Sequence, residues 1–377
     1  MNIDELPDDC LLYIFNLFCG FGTLLDCSEV CERWKHLVFR RLLSVKYLTD
    51  ASRRNGYPAS TIYFREDDRL EQIEIYKWFP NLKILDVSGS LDVDCFSKLP
   101  VKGLCLNLYY DTMVENINIP SIEMLAVPDF YDFFANDIQG PILEQLLVSN
   151  CNISKLSSYA KYFPNLKRLH LDNYIYAPSK DNFYTGPVLE KLEILEMGFH
   201  TFSEPGGYYG FSLADHCPTL KSAFHFIQTG QEIFVDDGIV NYFLEDLVIE
   251  FCCKREFKDW SVLRRILSKY PNLKHLAIRG EAEISDENIP ELLKLLPRIS
   301  LIDLSKSKEV TEKSSKYIDR YCRYRSVSLY YQNRAEITKK WPHLSTKRVF
   351  VGRGFDFMKY CFLIDYVDSP SLLDPDD

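Results

Sequence analysis

The sequence predicts an α/β protein, in which a small helical module at the N-terminus is followed by an array of strand–helix repeats. Apolar residues recur at helical spacing over roughly the first 45 residues. Beyond residue 60 a Pro-x-Leu-x-x-Leu-x-Leu frame returns along most of the chain, usually every 20 to 26 residues. A generic helical bundle does not produce such a frame, so the repeat decides the fold class.

The N-terminal module begins at Leu6-Pro7, where proline suits the first turn of a helix. Four apolar residues then share one helical face: Leu11, Ile14, Phe15 and Phe18. A break containing Gly20 and Gly22 separates this helix from a second apolar pattern, which ends in Val30-Cys31-x-x-Trp34. So small a unit cannot bury all of its apolar surface alone, and the pattern therefore predicts a partner.

The repeat frame is clearest at residues 80–87, 164–171 and 271–278, which begin with Pro-Asn-Leu-Lys. Looser copies start at residues 100, 120, 141, 187, 218, about 242, 297 and 322. The alternating apolar positions predict a short strand with one buried face, and the segment before each frame has helical spacing. Stacked repeats of this kind place parallel strands on a concave face and helices on a convex face.

Composition and charge exclude several classes of function. The net charge of −10 and the scattered basic residues argue against partners such as nucleic acid or an anionic membrane. No signal-like or membrane-spanning run is found, and the 12 cysteines form no C-x-x-C pair. We therefore expect free thiols in a reducing compartment, cytoplasmic and/or nuclear. Seven dispersed histidines and the lack of catalytic motifs predict no enzyme activity, no metal and no cofactor.

The N-terminal module resembles the F-box, which docks substrate receptors onto the Skp adaptor of a cullin–RING ubiquitin ligase. By that resemblance, the adaptor-binding residues are Leu6, Pro7, Leu11, Leu12, Ile14, Phe15, Leu24, Leu25, Val30, Cys31 and Trp34. Trp34 and Phe15 are the expected anchors, since large aromatic side chains dominate many interfaces.

The repeat frame resembles the leucine-rich repeat, and the whole chain resembles the F-box/leucine-rich-repeat substrate receptors. The resemblance implies an F-box at 1–45, a linker and N-terminal cap at 46–79, about 11 repeats in a horseshoe at 80–351, and a C-terminal cap with an acidic tail at 352–377. It implies a non-catalytic receptor that delivers a protein substrate for ubiquitination and proteasomal degradation. A leucine-rich-repeat scaffold without a ligase role is the alternative.

Target recognition is expected on the concave face. Its central strand positions are predicted to be Asp86, Cys105, Ala126, Leu147, His170, Glu193, Phe224, Val248, Ala277, Asp303 and Ser328. This mixed set suits a protein partner. The long step between residues 187 and 218 adds an aromatic, glycine-containing loop with exposed contact area. The expected substrate-binding residues are Phe202, Tyr208, Tyr209, Phe211, His170 and Phe224. Alternatively, the loop is a tolerated insertion whose aromatic side chains pack on the adjoining repeats.

Overall fold

The computed structural model of the 377-residue chain consists of two compact units. Unit 1 contains residues 1–138 with 370–374, and unit 2 contains residues 139–369 with 375–377. The structure describes residues 3–50, 60–65, 74–88, 101–107, 122–129, 140, 142–175, 183–201, 207–228, 232–251, 259–280, 282, 284–305, 307–331, 362 and 372. The boundary between the units falls inside the predicted repeat array.

Unit 1 opens with a 3₁₀ turn and three helices and continues as a parallel sheet. The helices are α1 (Asp8–Asn16), α2 (Phe21–Val30), α3 (Glu32–Leu42) and the short α4 (Ile75–Trp78). The strands are β1 (Tyr47–Asp50), β2 (Thr61–Phe64), β3 (Ile84–Ser88), β4 (Gly103–Asn107) and β5 (Met124–Val127). They pair in the order β2-β1-β3-β4-β5, and every pair is parallel. The predicted helical module and the predicted parallel strands are thereby confirmed.

Local sequence accounts for the ends of the N-terminal helices. Pro7 directly precedes α1, and Asp8 and Asp9 complement the positive end of its dipole. Gly20 precedes α2 in an extended conformation. The Cys31 sulfur accepts a hydrogen bond from the backbone N–H of Trp34 at 3.5 Å and so caps α3.

The described residues of unit 2 form eight strands, with helices in several of the connections. The strands are β6 (Gln145–Val148), β7 (Arg168–Ile175), β8 (Ile194–Thr201), β9 (Ser222–Gln228), β10 (Asp246–Phe251), β11 (His275–Arg279), β12 (Leu301–Asp303) and β13 (Ser328–Tyr330). The helices are α5 (Ile153–Tyr159), α6 (Gly210–Ala214), α7 (Trp260–Ser268), α8 (Ile289–Leu295) and α9 (Glu312–Tyr321). Neighbouring strands in the sequence are neighbours in the sheet, and all of the pairs are parallel.

One apolar residue from each strand builds the core ladder of unit 2. The pairing register aligns Leu146, Leu169, Leu195, Ala223, Leu247, Leu276, Ile302 and Leu329 across the sheet. All except Leu329 are essentially inaccessible to solvent. No single repeat could bury this face alone, because each ladder residue is covered by the strands and connections beside it.

The register corrects two of the predicted repeat frames. Ile194 pairs with Arg168, so the frame predicted to start at residue 187 starts three residues later, at Glu190. Two overlapping Leu-x-x-Leu frames compete here, and the one selected continues its apolar alternation through Phe199. Similarly, Ser328 pairs with Leu301, which moves the frame predicted at residue 322 to residue 324.

Candidate functional site

The interior of the N-terminal module contains four of the predicted adaptor-binding residues. Leu11, Phe15, Leu24 and Trp34 are buried, and the rings of Phe15 and Trp34 meet edge-on with centroids 5.3 Å apart. Trp34 and Phe15 are therefore the aromatic core of this module, which corrects their expected role as anchors of the adaptor contact. A unit of three short helices needs its largest side chains inside to be stable.

An arginine brings the two predicted motifs of the module together. The guanidinium of Arg33 donates to the backbone carbonyl of Leu6 at 2.5 Å and to the carboxylate of Asp8 at 2.8 Å. The start of α3 is thus fixed against the start of α1. Pro7, Val30 and Cys31 remain exposed beside this contact, with Val30 59% exposed. The Leu-Pro and Val-Cys elements therefore belong to one end of the module.

The outer face of α1 is an apolar stripe. Tyr13 and Leu17 are 67% and 66% exposed, and the exposed Cys10 and half-buried Ile14 lie on the same helical face. We call Pro7, Cys10, Tyr13, Ile14 and Leu17 the α1 stripe. The three remaining predicted residues, Leu6, Leu12 and Leu25, are half buried. An amphipathic helix with an uncovered apolar stripe is suited to bind a hydrophobic groove on another protein.

The α1 stripe includes three residues that the sequence-based prediction did not name, Cys10, Tyr13 and Leu17. Their spacing of three and four residues, on the side opposite Leu11 and Phe15, was the available signal.

Comparison with known families identifies this module. A family model described as F-box-like matches residues 3–47, the segment that contains α1, α2 and α3. Residues 3–47 are an F-box-like domain. F-box domains in general bind the Skp adaptor, so the uncovered α1 stripe lies on a domain whose usual role is adaptor binding. No curated protein matches the chain.

A second candidate site lies on the unit 2 sheet. We call the side of that sheet opposite the core ladder the second face. On this face, Arg168 forms a bidentate ion pair with Glu196, with N–O distances of 2.6 and 3.1 Å, and also donates to Gln145 at 3.2 Å. Glu196 occupies the central strand position that the sequence-based prediction had assigned to Glu193. A charge-assisted pair of this geometry is stable in a buried setting because both groups are satisfied.

The polar arrangement continues across the later strands. Asp246 accepts a hydrogen bond from the Ser222 hydroxyl at 2.6 Å and contacts His275 Nδ1 at 2.8 Å. Arg279 lies 3.3 Å from a carboxylate oxygen of Asp303 and 3.9 Å from one of Glu250. The second face of unit 2 thus presents alternating acids and bases rather than a stripe of one charge.

The predicted concave positions are not open to solvent. The buried ones are Asp86, Cys105, Ala126, Leu147, His170, Phe224, Val248, Ala277 and Asp303. Glu193 and Ser328 are half buried, but the register places Glu196 and Tyr330 at the central positions instead. The expectation that these side chains are available for a target is corrected by their burial, His170 and Phe224 included.

Two of the described aromatic residues from the predicted loop are also internal. Tyr208 and Phe211 are fully buried; the Tyr208 hydroxyl lies 2.5 Å from His225 Nδ1, and Phe211 packs against the His225 ring with centroids 4.4 Å apart. These two residues pack on the adjoining strands, as the alternative interpretation expected. Tyr209 is half exposed and stays a predicted target contact, while Phe202 lies outside the described residues.

Burial perturbs the ionisable groups beneath this loop. Desolvation lowers the pKa of His225 to about 3 and raises the pKa of Tyr208 well above its usual value. Both groups are therefore neutral at physiological pH, and their contact is a hydrogen bond between neutral partners. This pair stabilises the interior of unit 2.

Two other kinds of site are absent from the described residues. Within the described ranges, no group of three or more His, Cys, Asp or Glu side chains is placed to hold a metal ion. In the same part of the chain, none of the helices is both long and apolar enough to cross a bilayer.

Proposed function

We propose that this protein is the substrate-recognition subunit of a Skp–cullin–F-box ubiquitin ligase. In this proposal the F-box-like domain docks the Skp adaptor, which connects it to a cullin, and the strand–helix repeats bind a target protein. The exposed α1 stripe on a domain of this family is the observation that carries the proposal. The protein itself is non-catalytic and works in the cytoplasm and/or the nucleus.

The α1 stripe has the properties of an adaptor contact. Exposed side chains of the size of Tyr13 and Leu17 leave apolar area in water, and burying each one contributes roughly 1.5–3 kcal/mol. The core residues Phe15 and Trp34 act indirectly, because they hold the helix that presents the stripe. Binding therefore requires both a folded module and an apolar outer face.

Rate enhancement in such a ligase comes from proximity. A receptor holds its target close to a ubiquitin-charged conjugating enzyme and needs no reactive side chain of its own. The parallel strand–helix repeats support this role because stacked repeats of this kind offer an extended surface for a protein partner.

Titration of the purified full chain with the Skp adaptor tests the docking step. The variant Tyr13→Glu/Leu17→Glu places two charges in the α1 stripe without touching the core, so we expect at least a 100-fold weaker Kd at unchanged helical content. Leu43→Glu is the matched control, because Leu43 is also exposed, at 51%, but follows the C-terminal end of α3.

Two results would reject the proposed docking mode. Equal adaptor affinity of the wild type and the double variant would show that the α1 stripe is not the contact. A folded wild-type chain that binds no adaptor would favour the repeat scaffold without a ligase role.

A further inference from the structure

A group of exposed apolar side chains lies just before β10 in unit 2. Tyr242 and Phe243 are 63% and 62% exposed, and Ile239 and Val240 in the same loop are exposed as well. We call these four residues the β10 patch. Contiguous apolar patches on a protein surface commonly mark a contact with another protein.

The β10 patch departs from the pattern of the neighbouring repeats. Phe243 directly precedes Leu244, the first apolar position of its frame. Five other repeats of unit 2 have a polar residue at the position of Phe243, namely Asn165, Lys191, Thr219, Asn272 and Arg298. Only Ile142 in the β6 repeat shares the departure among these frames. Local choices that break a protein's own pattern tend to mark functional positions.

Hydrogen bonds fix the backbone that carries the β10 patch. The side-chain oxygen of Asn241 accepts from the backbone N–H groups of Phe243 and Leu244 at 2.7 and 3.1 Å. The side-chain amide of Asn272 donates to the backbone carbonyl of Tyr242 at 2.8 Å. Because the loop is already ordered, a partner that covers it loses little free energy in ordering it.

A pocket lies at the same edge of the unit 2 sheet. The turns that precede β7 and β8 enclose about 210 Å³, with Phe163 and Val188 among the apolar lining residues. The exposed Lys161, Lys191 and Glu190 also line it. An apolar cavity of about 150 Å³ already admits a benzene ring, so this pocket has room for an aromatic side chain.

The pocket and the β10 patch are placed for a two-fold contact. Both precede strands of one parallel sheet, and two to three strand spacings, roughly 10–14 Å, separate them. A two-fold axis at the start of β9 therefore brings the patch of each copy onto the pocket of the other. Pro218 and Thr219 lie there and are uncharged, and the nearby Lys221 is paired with Glu193 at 2.7 Å.

Charge favours the same pairing. Asp236 and Asp237 begin the loop that carries the β10 patch, and Arg265 pairs with Asp237 at 2.9 Å. The loop is thus left with one net negative charge. Two lysines against one glutamate give the pocket one net positive charge. Opposite charges across an interface assist association and orientation.

The exposed area indicates a second copy of the chain as the occupant. Tyr242 and Phe243 together expose roughly 200–300 Å². A single contact of this size is too small for a specific complex. A two-fold arrangement makes the contact twice and covers a similar pocket area each time, or roughly 800–1,200 Å² in all, at the low end of specific interfaces.

We propose that this protein forms a two-fold symmetric homodimer, in which Tyr242 and Phe243 of each copy pack into the pocket beside Phe163 and Val188 of the other. The assembly closes at two copies because each copy uses the same pair of surfaces. The dimer is weak, with a Kd in the micromolar range. It carries two repeat arrays, whatever the role of the F-box-like domain.

Sedimentation velocity of the purified full-length chain across the micromolar range tests the dimer. The wild type should shift from monomer to dimer. Phe243→Asn introduces the residue found at this position in two other repeats, so it should fold normally and dimerise at least tenfold more weakly. Tyr324→Asn, which changes a fully exposed aromatic residue outside both surfaces, is the matched control and should dimerise as the wild type does.

Mixing two variants tests the two-fold arrangement. Homodimers of Phe243→Asn or of the pocket variant Val188→Glu lack both contacts. An equimolar mixture restores one contact, between the intact Phe243 of one variant and the intact pocket of the other. Fluorescence anisotropy with one labelled variant should therefore show association at least threefold tighter than that variant shows with itself.

Several results would overturn the proposal. They are a wild type that stays monomeric at every concentration, a dimer that Phe243→Asn leaves intact, association that continues past two copies, and a mixture that associates no better than its components. None of these measurements involves the adaptor, so the homodimer and the ligase role stand or fall separately.

Discussion

The α1 stripe and the second face of unit 2 have opposite relations to solvent. Tyr13 and Leu17 are apolar and exposed, whereas Arg168 and Glu196 are charged and buried. Each surface lies opposite a well-packed apolar core. The polarity of a surface therefore does not reveal whether other residues of the chain already cover it. The apolar stripe is uncovered, while the polar face is already closed to solvent.

The energetic consequences of the two arrangements differ as well. Exposed apolar side chains reduce solubility, and they stabilise a complex only when a partner covers them. Buried ion pairs contribute little to stability as pairs, but removing one member leaves an uncompensated charge. Substitutions on the stripe should therefore change binding, and substitutions on the second face should change folding.

The largest expected effect comes from Trp34→Ala. This change opens a cavity beside Phe15, and we expect the free energy of unfolding of the F-box-like domain to fall by about 3–5 kcal/mol. Tyr13→Ala, in the same domain but exposed, should alter it by less than about 0.5 kcal/mol. Chemical denaturation followed by tryptophan fluorescence, or by circular dichroism for the Trp34 variant, compares the two. Similar losses from both changes would mean that Tyr13 is part of the core.

A somewhat smaller effect is expected from Arg168→Met. The substitution leaves Glu196 buried without its bidentate partner, so unit 2 should lose about 3 kcal/mol or more of stability. The double variant Arg168→Met/Glu196→Met should recover most of that loss, because no isolated charge remains. Thermal unfolding of the two variants and of Glu196→Met completes the cycle. Strictly additive losses would show that the two residues do not act as a pair.

The smallest predicted effect, taken per pH unit, is a pH dependence of stability that arises on the core side of the unit 2 sheet. The pKa of His225 falls from an ordinary 6.5 to about 3 in the folded protein, because burial disfavours the charged ring. Below pH 6.5 the His225 ring is therefore protonated in the unfolded chain but stays neutral in the folded chain. Above pH 6.5 His225 does not lower the free energy of unfolding. Below it, the free energy of unfolding falls by about 1.4 kcal/mol per pH unit as the pH decreases toward 3.

Denaturant titrations between pH 7 and pH 4 measure this slope. His225→Phe should flatten it, whereas His36→Gln, which changes an exposed histidine, should leave it as in the wild type. An unchanged slope in His225→Phe would show that other groups cause the pH dependence.

Sequence patterns alone predicted the N-terminal helices and the parallel strands. The periodicities of 3.6 and 2 are local properties, and Leu11 or Leu276 shows them without knowledge of distant contacts. The two frame shifts arose where overlapping apolar series exist, as around Glu190. Only pairing with the neighbouring strand determines which of two such series forms the strand. For this reason the prediction placed Glu193, and not Glu196, at the central strand position.

The exposure of site residues was the least predictable property. A motif singles out Trp34 and a long loop singles out Tyr208, but whether a side chain faces a partner or the interior depends on how the elements pack. The polar second face was similarly hidden, because Arg279 and Asp303 are far apart in the sequence. Long-range contacts of this kind leave no local periodic signal.

The most direct test of the central claim is recovery of the ligase from cells with the full-length protein as bait. Wild type and Leu43→Glu should each co-purify the Skp adaptor and a cullin, and Tyr13→Glu/Leu17→Glu should recover neither at equal bait levels. Proteins bound by all three forms, and accumulating when the proteasome is blocked, are then candidate targets. Recovery of adaptor and cullin by the double variant at wild-type levels would contradict the assignment of the α1 stripe as the docking surface.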